Sequence, residues 1–104
     1  MTSDATIAKE SLTQLGNRYV SYEAHSSLSG ATMESATDAI NTALRIGGEA
    51  IAQCDIAIIT LGTAWVYRLR STGQVVANCH KQPASLFSRE LLSVDECIEA
   101  LEQI

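Results

Sequence analysis

A chain of 104 residues, 46% of them hydrophobic, is sized for one small folded domain and is too apolar for a disordered tail. Seven Lys and Arg against twelve Asp and Glu give a formal charge of -5, so no surface is expected to neutralise a nucleic-acid backbone. No apolar run reaches membrane-span length, MTSDATIAKES lacks the pattern of a secretory leader, and Cys54, Cys79 and Cys97 lack CxxC spacing, so we expect a cytoplasmic chain in a reducing compartment without a membrane partner.

Between Asp4 and Leu15, Ile7, Ala8, Leu12 and Leu15 recur at near-helical spacing, with Ser3 or Asp4 as N-cap and Gly16 in the position of a C′ glycine. This pattern predicts a short helix. Arg18 to Tyr22 is rich in strand formers but short, and reads either as a strand or as an extended approach. A polar loop, His25 to Gly30, precedes the longest predicted helix. Thr32 is its N-cap, and Met33, Ala36, Ile40, Ala43, Leu44, Gly47 and Ile51 form its apolar face.

Asp55 to Leu61 holds Ile56, Ala57, Ile58, Ile59 and Leu61 in a nearly unbroken run, the pattern of a parallel strand covered on both faces. Trp65–Leu69 and Val75–Ala77 then read as an antiparallel hairpin. A turn centred on Thr72-Gly73 sets Leu69 opposite Val76, Tyr67 opposite Asn78 and Trp65 opposite His80. Gln82-Pro83 closes the hairpin, Leu86, Phe87, Leu91 and Leu92 supply an apolar connection, and Ser93 with Glu96 makes a capping box for a last helix through Leu101. The expected architecture is α/β, a single three-layer unit with a central parallel strand, flanking helices and an antiparallel hairpin.

Gly62 and Thr63 follow the predicted parallel strand, where ligands sit in open α/β sheets and where a glycine lets backbone N–H groups approach a substrate oxygen. The same residues also suit a turn that satisfies only its own backbone. His80 is the acid/base candidate because histidine is the residue type that titrates nearest neutral pH, with Asn78 and Trp65 predicted on its face; a structural histidine at the hairpin base is the alternative. Cys79 should point to the opposite face and form no dyad with it. His25 lies in a loop, where binding residues concentrate. Arg68, Arg70 and Lys81 form a small basic group able to meet an anion or simply to be solvated. The cysteines and histidines lack the paired spacing of a zinc site, so neither metal nor cofactor is expected.

TLGTAWVY (Thr60 to Tyr67), VANCHKQP (Val76 to Pro83) and AHSSLSG (Ala24 to Gly30) resemble the GSCFA family, and the resemblance runs from about Tyr19 to the end. That family is similar to the SGNH/GDSL hydrolases, which implies a flavodoxin-like α/β/α fold and cleavage of acyl esters by a serine nucleophile. The chain lacks the Gly-Ser-Cys-Phe-Ala string that would carry the serine, and has no Asp-x-x-His pair after Ser93. Where SGNH enzymes place the asparagine of Gly-x-Asn-Asp, Ala64 follows Gly62-Thr63, and Asn78 or His80 would stand in toward the oxyanion. The resemblance therefore implies that residues 1–104 are the middle of a longer domain. They would carry part of the substrate and oxyanion side (Gly62, Thr63, Trp65, Asn78, His25 and His80) for a small-molecule or glycan acyl ester, be inactive alone, and self-associate through an uncovered strand face. A non-catalytic binding module on the same core is the alternative.

Overall fold

The computed structural model describes residues 6–104. After a single 3-10 turn at Lys9–Ser11, β1 (Thr13–Leu15) and β2 (Arg18–Val20) pair antiparallel with Leu15 opposite Arg18. The helix expected over this stretch is not formed, and its proposed caps Ser3 and Asp4 lie outside the described residues. Gly16 explains the misreading: at φ 61° it is left-handed, a conformation that both a helix C′ glycine and the first residue of a two-residue hairpin turn require. Here it turns the hairpin.

The 3-10 turn Ser26–Leu28 leads to Gly30, whose N–H and carbonyl both bond Tyr19 (3.1 and 2.7 Å). Gly30 sits against the start of α1 (Met33–Gln53). A Cβ there would collide with Ser35 Oγ and lie 2.7 Å from the Ala36 nitrogen, so the close approach needs glycine. Thr32 caps α1 as expected: its Oγ1 accepts from Ser35 N at 3.0 Å while Ser35 Oγ accepts from Thr32 N at 3.2 Å. Of the predicted apolar face, Ala36 and Ile40 are buried and Met33, Ala43 and Leu44 partly so, whereas Gly47 and Ile51 are exposed. Asn41 holds the incoming chain by accepting from Ile7 N at 2.8 Å and donating to Ile7 O at 3.3 Å.

Residues 55–61 correct the expected architecture. They form neither helix nor strand and pair with no strand among the described residues, and Ile56, Ile58, Ile59 and Leu61 expose 80, 85, 54 and 66% of their surface. The predicted central parallel strand is absent, because an apolar run becomes a strand only when neighbouring strands take its N–H and C=O groups. A radius of gyration of 15.1 Å, against about 13 Å for a closely packed chain of this length, reflects the same openness.

The second sheet is antiparallel throughout, with β3 (Trp65–Leu69) between β4 (Val75–Val76) and β5 (Phe87–Leu91). Tyr67 faces Val76, two places from the expected register, because the loop closing on Leu69 and Gln74 spans Arg70 to Gly73 rather than centring on Thr72-Gly73. The stretch expected as a connection supplies β5 on the other edge of β3, where Trp65 faces Leu91, and Trp65 does not pair with His80. Leu69, Val76 and Phe87 bury one face together with Tyr22, whose ring meets Phe87 edge-on at 6.3 Å; Cys79 packs against the cluster. The last helix, α2 (Val94–Glu102), starts as expected at a Ser93–Glu96 capping box. Among the described residues the fold is mixed α/β: two helices and two small antiparallel sheets. No described helix is long and apolar enough to cross a membrane.

Candidate functional site

After β4 the chain crosses the segment that follows β2, and two backbone bonds fix the crossing: Ala77 N and Asn78 N both donate to Tyr22 O, at 2.9 and 3.1 Å. Tyr22 Oη adds a third tie by donating to Gln82 Oε1 at 2.8 Å. Between these anchors His80 and Lys81 adopt φ 51° and 58°. Two successive left-handed residues that are not glycine cost about 1–2 kcal/mol each. The turn is held by Asn78 Oδ1, which accepts from His80 N at 2.7 Å, and by Gln82 N, which donates to Cys79 O at 3.1 Å.

Contacts to both ring nitrogens orient the imidazole. Nε2 lies 2.6 Å from the carbonyl oxygen of Ser21, a buried residue, and a carbonyl can only accept, so Nε2 carries a proton. In the neutral ring Nδ1 is then the basic nitrogen, and the hydroxyl of Ser26 stands 3.3 Å from it. The Tyr22 ring, 6.2 Å away and tilted, flanks the imidazole. The half-buried histidine thus has one nitrogen anchored and the other facing a hydroxyl.

The other expected residues are distributed differently. Asn78 is beside His80 and shapes its turn, while its amide nitrogen has no protein partner among the described residues and remains a free donor. His25 is one residue from the site: Ser27 N donates to its Nδ1 at 3.0 Å, so it caps the 3-10 turn that presents Ser26. Gly62 and Thr63 lie on the exposed stretch, where Thr63 Oγ1 accepts from Trp65 N at 3.2 Å. Trp65 carries Arg89 over its ring at 3.8 Å. No hydrogen bond or ring contact joins these three to His80 among the described residues. In the basic group, Arg68 is occupied by Glu90 (2.6 Å) and Gly73 O (2.7 Å), and Arg70 by Phe87 O (3.1 Å). No three His, Cys, Asp or Glu of the described residues gather as metal ligands would.

Sequence reasoning missed Ser21, Tyr22, Ser26 and Gln82. The HSSLSG loop was a visible signal for Ser26, but a main-chain carbonyl leaves no mark in a sequence. The GSCFA family model matches residues 1–104. The chain belongs to the GSCFA family. No curated protein and no solved structure matches it. Both segments that meet at His80 are among those by which the sequence resembles GSCFA proteins, AHSSLSG from one side and VANCHKQP from the other.

Proposed function

We propose that this GSCFA chain supplies the histidine-bearing wall of an SGNH-type acyl-ester hydrolase site, with His80 as acid/base residue and the Asn78 amide as a donor toward the oxyanion. The observation that carries this reading is the clamped imidazole, with Nε2 on the Ser21 carbonyl and Nδ1 open to a hydroxyl. The substrate class is a small-molecule or glycan acyl ester. The nucleophile belongs to the Gly-Ser-Cys-Phe-Ala motif, and these residues lack both that motif and the Asp-x-x-His pair, so the chain alone is catalytically silent. In the complete domain Ile56–Leu61 would take its place as a parallel strand of a flavodoxin-like sheet; its exposure here supports that reading. The three unpaired thiols suit a reducing, cytoplasmic setting.

Hydrolysis of a simple acetyl ester tests this in two forms of the protein. The chain itself should give none. A version extended to include the family's serine motif and an Asp-x-x-His pair should turn the ester over and lose about 10²–10⁴ in kcat on His80→Ala. Activity in the extended protein that is indifferent to His80→Ala would overturn the role of His80, and activity in the chain alone would overturn its silence. A binding module is favoured instead if the chain unfolds cooperatively as a monomer, since the second sheet closes its own small core without residues 55–61.

A further inference from the structure

We propose that the cavity between the 23–28 loop and α1 binds the apolar chain of a neutral acyl ester. The cavity measures about 490 Å³, within the roughly 300–1,000 Å³ of small-molecule sites. Leu28, Ile40, Ala43 and Leu44, with Ile7 beside them, give it a mainly aliphatic wall, which excludes ligands whose bulk is polar. Its polar lining includes Glu23 and His25, and their chemistry narrows the ligand further.

Nδ1 of His25 already accepts from Ser27 N, so the neutral ring has one group left to offer, an Nε2–H donor. The complement of that donor is an acceptor such as a carbonyl oxygen. Glu23, whose Oε1 accepts from the Gln74 side chain at 3.2 Å, opposes a free carboxylate at the same rim. An aliphatic chain ending in an uncharged carbonyl satisfies all three constraints, and a fatty acid anion fails the last. The naming of the ligand as an ester rests on the hydrolase reading above, and one further fact connects the two places: His25 lines the cavity, and the next residue, Ser26, bonds His80. The cavity would thus hold the acyl tail within one residue of the acid/base wall, while the charge of Glu23 would disfavour retention of the acid product.

Titration of the intact chain with methyl hexanoate, followed through the methyl resonances of Ile7, Leu28, Ile40 and Leu44, tests the inference. Saturable shifts confined to these methyls are expected. Filling the cavity by Ala43→Phe, or from the opposite wall by Ala24→Leu should Ala43→Phe fail to fold, should weaken binding by about tenfold or more. The hexanoate anion should bind more weakly than the ester. Absent shifts, shifts centred on Ile56, Ile58 and Ile59, or affinity unchanged by a folded filling variant would overturn the proposal. Because the readout is binding, it can fail while His80-dependent hydrolysis in the extended protein stands, and the reverse.

Discussion

The crossing around Tyr22 and the stretch from Asp55 to Leu61 are both rich in apolar and strand-forming residues, yet only the first is packed. Tyr22, Leu69, Val76 and Phe87 close on one another because each has a partner element within the described residues and a backbone bonded to it. Ile56, Ile58, Ile59 and Leu61 have stronger hydrophobic character but no partner strand among the described residues, and remain exposed. Apolar content decides whether a segment gains from burial; available neighbours decide whether it is buried.

Substitutions can break this contrast. The largest effect is expected at Phe87→Ala, which empties the small core and should cost about 3 kcal/mol in a denaturant titration, whereas Ile58→Ala should stay within about 0.5 kcal/mol of the parent. Equal losses at the two positions would mean that the 55–61 stretch is packed in solution. Gly30→Ala should come next, at about 1–3 kcal/mol by thermal melting, because the added methyl meets Ser35 and the Ala36 backbone, and the bonds to Tyr19 restrict relief. Ser93→Ala removes a cap donated to by Glu96 N and should cost about 1 kcal/mol, with a matching loss of helical signal. The smallest change in stability, within about 0.5 kcal/mol, is expected for Ile58→Lys. That variant should nonetheless shift sedimentation toward the monomer if the exposed stretch drives self-association. A parent chain that is already monomeric at high concentration would refute that association.

What was legible in the sequence was local. Thr32 and Ser93 start helices through side-chain bonds to residues three positions away, so their neighbours alone specify them. The hairpin at residues 65–76 was visible in its alternating pattern, but its register depends on how Arg70 to Gly73 close the loop, and that shifted the partners by two. Leu86 to Leu92 gave no strand signal strong enough to act on, since Ser88, Arg89 and Glu90 interrupt it. Its pairing to β3 is secured by Arg68–Glu90 and by Arg89 on Trp65, contacts between residues far apart in the chain. His80 was legible as a residue and not as a geometry: its expected neighbour Trp65 is elsewhere, and its actual partners, Ser21 and Ser26, lie 59 and 54 positions away.

The group that anchors Nε2 of His80 is a main-chain carbonyl, which every amino acid at position 21 would supply. An alanine scan would pass over Ser21 even if its carbonyl governs the ring, and would record only the loss of a hydroxyl that accepts from Glu23 N. Backbone chemistry reaches it: an amide-to-ester replacement between Ser21 and Tyr22 makes that carbonyl a poorer acceptor while leaving every side chain in place. The imidazole would then be released to exchange tautomers, an effect that nitrogen chemical shifts report directly.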